Sequence, residues 1–354
     1  MENATNLAEK RATIQDIARM TGVSVATVSG ALSGKRRMSE RTRAMVLARA
    51  KDMGFTPNPL AQRLITGRCA NKIAVLTQSD LGVATQTMWQ LMQKLAEEGF
   101  EIQERLLPAY IDRNKAMQVK LIQTICHQNP AAILCAETEF EPTSVAILSR
   151  YTQNGGILVR WADIRHIGNN EGLISDNVLL DTEMGCFLQA RHLIELGHRK
   201  LGFFGHGGLG VHLEGFKRAL SESDIDFHPE WVGTCPGYEE AGIKHAEQFL
   251  AWKDRPTGVC IINDNAAAAF INGVVRSGLE VPSDVSVVGY DDTAAARAAL
   301  VPLTTFRRPV ESLCSAIVDL LCKRLHKELV GPPCNQVVQG ELVIRQSTAP
   351  PREL

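Results

Sequence analysis

The sequence predicts a small all-α head followed by a larger α/β core built from two doubly wound parallel sheets. Three observations support this division. The first 53 residues contain three successive helix-start signals separated by short turns, which is typical of a small helical unit. From Lys72 onward, apolar strand patterns alternate with amphipathic helix patterns, as parallel sheets covered by helices require. Charge is divided in the same way, because residues 1–70 carry a net +7 and the remainder −8.

Each helix of the head is predicted from a capping residue. Thr13 and Asp16 form a capping box, Ser24 and Ser39 are further N-caps, and Gly22 permits the positive φ of a tight turn. The predicted helices are Ile14–Met20, Val25–Leu32 and a third from Ser39 to Met53. Basic side chains crowd around this unit and are suited to holding backbone phosphates. They are Arg19, Lys35, Arg36, Arg37, Arg41, Arg43, Arg49 and Lys51. A cap on a larger enzyme is the alternative that the spacing alone leaves open.

Two runs of residues resemble the lac-repressor/galactose-repressor (LacI) family of transcription regulators. They are Thr-Ile-Gln-Asp-Ile-Ala…Gly-Val-Ser-Val-Ala-Thr-Val-Ser at 13–29 and Gly-Phe-Thr-Pro-Asn-Pro-Leu-Ala-Gln-Arg-Leu at 54–64. The resemblance implies a helix-turn-helix domain at 1–55, a hinge helix and linker at 56–70, and a sequence-specific repressor of transcription. It implies a second helix in the major groove of operator DNA and a Leu64 wedge in the minor groove. The DNA-binding residues it implies are Thr13, Ser24, Val25, Ala26, Thr27, Ser29, Arg37, Asn58, Ala61 and Leu64.

One residue departs from this family pattern. Gly30 stands where many members carry a long polar side chain that reads a base. Glycine offers no donor, and it weakens a helix by about 1 kcal/mol. We therefore expect more of the sequence specificity to come from the hinge and from DNA shape.

The remainder, 71–354, resembles the periplasmic-binding-protein-like core of the same family. The resemblance rests on Gly-His-Arg-Lys at 197–200, Asn-Asp at 263–264, Val-Pro-Ser-Asp-Val-Ser-Val-Val-Gly-Tyr-Asp-Asp at 281–292, Leu-Thr-Thr at 303–305 and Arg-Gln-Ser-Thr-Ala-Pro-Pro at 345–351. It implies an N-lobe of about 71–162 and 291–325 and a C-lobe of about 163–290 and 326–354. The chain ends just past Pro351, without further heptads, so a homodimer is expected.

A small-molecule effector, a sugar or sugar derivative, is expected between the lobes at the carboxyl ends of the strands. The candidate effector-binding residues are Arg160, Trp161, His212, Asn263, Asp264, Asp291 and Arg308. Arg160, His212 and Arg308 depart from residue types common in the family. One hypothesis is that Arg160 and Arg308 clamp an anionic effector. The alternative, which we favour slightly, is that these arginines pair with Asp163, Asp176 or Asp291.

Two other classes of protein share features with this sequence. Gly205–Gly210 satisfies the G-x-G-x-x-G pattern after a strand, so an NAD-binding enzyme is the alternative, but no acidic residue ends a second strand about 20 residues later. A transport-type sugar-binding protein shares the core fold but lacks the basic head. Nine scattered cysteines without CxxC pairs, and no apolar leader or membrane span, favour a cytoplasmic, nucleoid-associated protein. We expect no catalytic residues, cofactor or metal site.

Overall fold

The structure is a computed structural model that describes residues 13–33, 38–53, 69–78, 83–107, 115–136, 140–165, 172–205 and 210–352. The chain divides into two compact units, Met1–Ala70 and Asn71–Leu354.

The described part of the first unit contains the predicted helices α1 (Ile14–Thr21), α2 (Val25–Ser33) and α3 (Glu40–Asp52). Thr13 and Asp16 cap each other reciprocally, with the Asp16 amide donating to the Thr13 hydroxyl at 3.2 Å and the Thr13 amide donating to the Asp16 carboxylate at 3.0 Å. Gly22 follows α1 with φ of 67°, which lets the chain turn directly into the next helix. The helical head predicted from its caps is confirmed.

Apolar residues of all three helices meet in a small core. They are Ile17, Ala18, Val28, Ala31, Val46 and Ala50. Short side chains at several of these positions let the helices approach closely. The head therefore buries little apolar surface, and the side-chain caps at its helix starts matter for its stability, at about 1 kcal/mol each.

The second unit alternates strands and helices along the described chain. In chain order the elements are β1 (Cys69–Gln78), α4 (Val83–Glu97), β2 (Glu101–Leu107), α5 (Lys115–Gln128), β3 (Pro130–Ala136), α6 (Pro142–Gln153), β4 (Ile157–Asp163), β5 (Asp176–Leu180), α7 (Thr182–Glu195), β6 (Leu201–Gly205), α8 (Gly210–Ser221), β7 (Val232–Thr234), α9 (Glu239–Ala251), β8 (Gly258–Ile261), α10 (Asp264–Arg276), β9 (Ser286–Asp291), α11 (Ala294–Ala298), β10 (Thr304–Arg307), α12 (Val310–Leu325), β11 (Asn335–Val338) and β12 (Glu341–Val343).

Among the described residues the strands form two six-stranded sheets, which define the two lobes. The N-lobe sheet has the order β11-β5-β4-β3-β1-β2, and the C-lobe sheet has the order β12-β10-β9-β8-β6-β7. The neighbouring strands for which a register is resolved run parallel, except that β12 lies antiparallel to β10. The two doubly wound sheets expected from the sequence are confirmed.

Strand pairing corrects the expected lobe boundaries of 71–162 with 291–325 and 163–290 with 326–354. β5 pairs with β4, so the chain leaves the N-lobe near Asp181 and not at 163. β10 pairs with β9, so 291–307 belongs to the C-lobe, and the chain returns at 308–309. β11 pairs with β5, so the last crossing lies at 339–340. Alternation along the sequence predicts strands, but it does not say which sheet a short strand joins.

Helices cover both faces of each sheet. In the N-lobe, α4 and α12 lie on one face while α5 and α6 lie on the other. In the C-lobe, the packed helix pairs are α7 with α8 and α9 with α10. Gly215 makes the first of these contacts close, because a Cβ there would overlap the Glu183 carbonyl oxygen. No helix among the described residues is long and apolar enough to span a membrane.

Candidate functional site

The exposed surface of α2 is concentrated in its first turn. Ser24, Val25 and Ala26 are exposed, and 47% of the Val25 surface is accessible to solvent. Thr27 and Ser29 are half-buried, and the Ser24 and Thr27 hydroxyls lie 2.8 Å apart. Small side chains at the positive end of a helix let it approach a nucleic-acid groove closely, with its backbone N–H groups available to phosphates.

The second half of α2 offers less. Gly30 and Ala31 are buried and Leu32 is half-buried, so the helix does not extend a long polar side chain from these three positions. Thr13, the other described DNA-binding candidate, is exposed at the start of α1 and is engaged in its capping box. Arg37, Asn58, Ala61 and Leu64 lie outside the described residues.

Four of the basic side chains near α1 and α2 are accessible to solvent in the described part of the head. Arg19 is 77% exposed and lies 3.4 Å from Asp16, while Arg49 is 43% exposed and lies 3.9 Å from Asp52. Arg41 and Lys51 are exposed as well. Exposed pairs of this kind are weak, so the cations can exchange a carboxylate partner for a phosphate.

In the C-lobe, the ends of neighbouring strands bring three of the seven effector candidates together. Asn263 follows β8, Asp291 ends β9 and Arg308 follows β10. The Asn263 amide donates to Asp291 Oδ2 at 3.1 Å, and Arg308 Nη1 lies 3.9 Å from Asp291 Oδ1. His212, in the first turn of α8, packs edge-on against Tyr290 with ring centroids 5.7 Å apart. We call Asn263, Asp291 and Arg308 the C-lobe polar group.

Asp291 is the most unusual member of this group. Its side chain is 8% exposed, and its φ of 111° is a conformation that L-residues rarely adopt. The pKa of this carboxyl is raised to about 7, because burial, helped by the Asp264 carboxylate, outweighs Arg308 and the Asn263 amide, which lower it. Backbone strain and a shifted carboxyl at a strand end are features that cluster at ligand sites.

The Asp264 carboxylate and the Asn263 Oδ1 stabilise the local fold. The fully buried Asp264 carboxylate accepts from the Thr305 hydroxyl at 2.6 Å and from the Thr293 amide at 2.6 Å, while burial raises its pKa to about 6. Asn263 Oδ1 accepts from the amides of Asn265 and Ala266 and so caps α10. Asn263 therefore contacts Asp291 only through its Nδ2 in the described structure. Asp264 joins β10 to the turn after β9 through its bonds to Thr305 and Thr293.

Arg160 and Trp161 are not part of this group. Arg160 is buried on β4, and its Nε donates to Ser175 Oγ at 2.9 Å and to Asn177 Oδ1 at 3.3 Å. Trp161, 8% exposed, packs in the N-lobe core with residues of α12 such as Val310 and Leu313. Their side chains project from opposite faces of β4, because successive side chains alternate along a strand. The hypothesis that Arg160 and Arg308 clamp an anionic effector stays a prediction, and the engagement of the Arg160 Nε by two neutral side chains does not support it.

The alternative ion pairs are borne out for one arginine only. Arg308 faces Asp291, as expected. Asp176 instead binds Arg324, whose Nε and Nη2 each lie 2.8 Å from a carboxylate oxygen. Asp163 accepts from the backbone amides of Arg165 and Thr182, and so fastens the first crossing between the lobes.

Several ion pairs of the core were missed by sequence reasoning. Asp292 is bound by Arg307 and Arg345, and Arg165 contacts Glu183 and Glu214 on α7 and α8. The partners in these contacts come from separate elements, so no local spacing indicates them. The Gly-rich segment 206–209 lies outside the described residues. No group of three or more potential metal ligands occurs in the part of the chain that the structure describes.

Comparisons with known proteins agree with both units. A family model described as bacterial regulatory proteins, lacI family, matches residues 13–58, and a model of the periplasmic binding protein-like domain matches residues 190–348. The HTH-type transcriptional repressor PurR of Photobacterium profundum is 27% identical over 344 residues, covering 95% of this chain and 98% of that protein. PurR of Yersinia pestis bv. Antiqua is 29% identical over 343 residues, covering 96% and 97%.

Solved structures show the same fold. The lac repressor dimer bound to operator and the anti-inducer ONPF aligns with a TM-score of 0.68 at 24% identity, covering 96% of this chain and 100% of that one. The complex of the transcriptional regulator CelR with cellobiose aligns with a TM-score of 0.66 at 23% identity, covering 95% and 100%. Because these relatives are transcriptional repressors, the interpretation as an NAD-binding enzyme is wrong. The chain is a DNA-binding transcriptional regulator of the lacI family, with a helix-turn-helix head and a periplasmic-binding-protein-like core.

Proposed function

We propose that the chain represses transcription as a homodimer bound to a palindromic operator, and that a small molecule at the C-lobe polar group controls its affinity for that operator. The repressor relatives and the accessible first turn of α2 support the DNA-binding half. The polar group supports the sensing half, because it lies at the carboxyl ends of parallel strands, where ligands bind in such folds. Cytoplasmic location remains a prediction.

The proposed effector is a neutral sugar or another polyhydroxylated molecule. The observation that carries this choice is the 3.9 Å separation of Arg308 Nη1 and Asp291 Oδ1, which is too long for a direct hydrogen bond. A ligand hydroxyl between them can accept from the guanidinium and donate to the carboxylate. An anion would meet Asp291 itself, and Arg160 is engaged elsewhere. CelR, which shares the fold, is complexed with cellobiose.

The mechanism we propose is linkage between two binding equilibria. A ligand held between the lobes changes their relative angle, and this change alters the separation of the two hinge segments in the dimer. That separation determines whether the hinges can pair on DNA, so effector and operator affect each other's affinity by the same factor. Whether the effector induces or co-represses is decided by which lobe arrangement it binds more tightly.

Selection from random-sequence DNA tests the operator half of the proposal. We expect enrichment of a palindrome with a central pyrimidine–purine step, since such steps bend most easily. Substituting Val25→Glu, which places a negative charge on the exposed first turn of α2, should abolish enrichment, whereas Glu239→Gln on the exposed start of α9 should leave it intact. Failure to enrich any palindrome contradicts the dimeric-operator proposal.

A thermal-shift screen tests the effector half. The probes are ribose, cellobiose, glucose, gluconate and glucose 6-phosphate, measured on the full chain and on Asp291→Asn. We expect at least one neutral sugar to raise the melting temperature of the unmodified chain, by an amount that grows with concentration, and to lose this effect in the variant. Stabilisation by the acidic probes alone would overturn the choice of a neutral effector.

A further inference from the structure

Two consecutive aspartates at the end of β9 share an uncommon backbone conformation. Asp291 has φ of 111° and Asp292 has φ of 57°, both in the region that favours glycine. A chain holds two such residues in a row only when the surrounding structure determines their conformation. The contacts of Asp292 identify what holds this turn.

The Asp292 carboxylate is bound on both oxygens by arginines from other elements. Arg307 Nε, at the end of β10, lies 2.7 Å from Oδ2, and Arg345 Nη2 lies 2.6 Å from Oδ1. A third arginine, Arg297 on α11, lies 3.8 Å from Oδ1. The carboxylate is 4% exposed. Burial alone would raise its pKa, but the bonds from Arg307 and Arg345 outweigh burial and lower it, so this group stays ionised.

Arg345 lies in the C-terminal segment, residues 344–352, which is itself fixed beside β9 and β10. Its backbone amide donates to the Thr304 hydroxyl at 2.9 Å, and its Nη1 donates to the Leu303 carbonyl oxygen at 2.8 Å. The next residues bond to the same sheet, with the Gln346 amide donating to the Pro302 carbonyl and the Val287 amide donating to the Ser347 carbonyl. Arg345 is therefore held at both its backbone and its side chain.

The same contacts set the two members of the polar group that face each other. Arg307 pairs in register with Asp291 across β10 and β9, and it immediately precedes Arg308. The hydrogen bond that Arg307 donates to Asp292 thus fixes the end of β10, which Arg308 follows. The left-handed φ of Asp292 fixes the turn that carries the Asp291 side chain. The 3.9 Å gap between Arg308 and Asp291 depends on both.

We propose that Asp292 is a positioning residue of the effector site: held by Arg307 and Arg345, it fixes the turn that presents Asp291 opposite Arg308. The proposal rests on the proposed function in that it assigns the positioned carboxylate to an effector. It also assigns a role to the C-terminal segment, which contacts the Asp292 carboxylate through Arg345.

The experiment measures how Asp291 contributes to the pH dependence of thermal unfolding in the full chain. Groups facing Asp291 are Arg308, the Asp264 carboxyl, the Asn263 amide, the Cys186 thiol and the Tyr290 hydroxyl. Melting temperatures from pH 4.5 to 8 are recorded for chains with Asp or Asn at 291, and their difference isolates this carboxyl. The pair is measured in the unmodified background, in Arg345→Met, in Arg345→Lys and in the control Arg352→Met.

Arg352 is a matched control because it lies in the same C-terminal segment and binds Glu280 at 2.9 Å and Asp284 at 2.8 Å, away from Asp291. We expect Arg345→Met to shift the Asp291 titration toward the ordinary pKa by at least one pH unit. Loss of the Arg345 positive charge by itself would raise the pKa of Asp291, which is the opposite direction. Arg345→Lys should restore part of the effect, and Arg352→Met should leave the titration unchanged.

A uniform fall in melting temperature for Arg345→Met, with the Asp291 titration unchanged, would mean that Arg345 only stabilises the fold and would overturn the proposal. If this variant does not unfold cooperatively, Arg307→Met provides the same measurement with the same sign. A sugar that binds in the screen above should bind at least tenfold more weakly to Arg345→Met. A shifted titration in a chain that binds none of the sugars keeps the positioning role and contradicts the effector assignment.

Discussion

Buried charged side chains in the N-lobe sheet make direct hydrogen bonds to their partners, whereas those at the C-lobe strand ends include a pair that stands too far apart for one. Asp176 receives two bonds of 2.8 Å from Arg324, and Arg160 lies within a network with Ser175 and Asn177. At the end of the C-lobe strands, Asp291 and Arg308 stand 3.9 Å apart. Both lobes have six-stranded, mainly parallel sheets among the described residues, so the architecture does not cause this difference.

This difference distinguishes charged pairs that stabilise the fold, such as Asp176 with Arg324, from pairs that can exchange partners, such as Asp291 with Arg308. A carboxylate saturated by a bidentate arginine gives up that geometry only at a large cost. A loosely paired carboxylate in a strained backbone has an incomplete set of hydrogen bonds, which a ligand can complete. Asp292, next to Asp291, belongs to the first kind, so the two kinds meet within one turn.

Substitution of Asp176 by Asn should have the largest effect. The change leaves the buried Arg324 without its counter-ion, so we expect the free energy of unfolding to fall by about 3–5 kcal/mol. Denaturant titration measures it. Asp319→Asn is the control, because its exposed pair with Lys323 at 2.7 Å lies on the same helix as Arg324 and should matter little. Equal effects of the two substitutions would show that the buried pair stabilises the N-lobe no more than an exposed pair does.

Asp291→Asn should change the pH dependence of stability. The folded pKa of about 7 lies above the ordinary 3.8, so the folded chain keeps a proton that the unfolded chain loses between these values. Stability from this group is therefore present at low pH and lost as pH rises to 7, by up to about 1.4 kcal/mol per pH unit. The variant should flatten this slope in denaturant titrations between pH 4 and 8. The exposed Asp224, also at positive φ, provides a control as Asp224→Asn.

Arg165→Gln should have the smallest effect and tests the contact between the lobes. Arg165 follows β4 of the N-lobe, and its Nη1 lies 3.3 Å from Glu214 Oε2 on α8 of the C-lobe. Because Arg165 is 42% exposed, we expect a loss of about 1 kcal/mol or less. Small-angle scattering should show a slightly larger radius of gyration than for Lys200→Gln, which breaks a pair with Asp254 inside the C-lobe. Identical scattering curves would show that Arg165 does not hold the lobes together.

The sequence by itself determined the head and the alternation of the core. The caps at Thr13, Ser24 and Ser39 act on amides three residues away, so their effect is local and readable along the chain. The motifs at 13–29, 263–264, 281–292 and 303–305 also pointed to the family, and the resemblance to its core made Asn263, Asp291 and Arg308 candidates. The roles of Trp161 and Arg160 at the effector site stay predictions, because a strand pattern does not tell which face of a sheet lines a cleft.

Only the tertiary structure decided the membership of the lobes and the partners of the buried charges. β11 joins a strand that precedes it by 158 residues at Asn177 and Asn335, and Arg324 reaches Asp176 across 148 residues. Asp292 is bound by Arg345 from 53 residues further along. Such contacts depend on how separate elements pack in space, whereas a sequence pattern records only what neighbouring residues require of each other. The turn that presents Asp291 is therefore visible as a motif, but the reason it is held there is not.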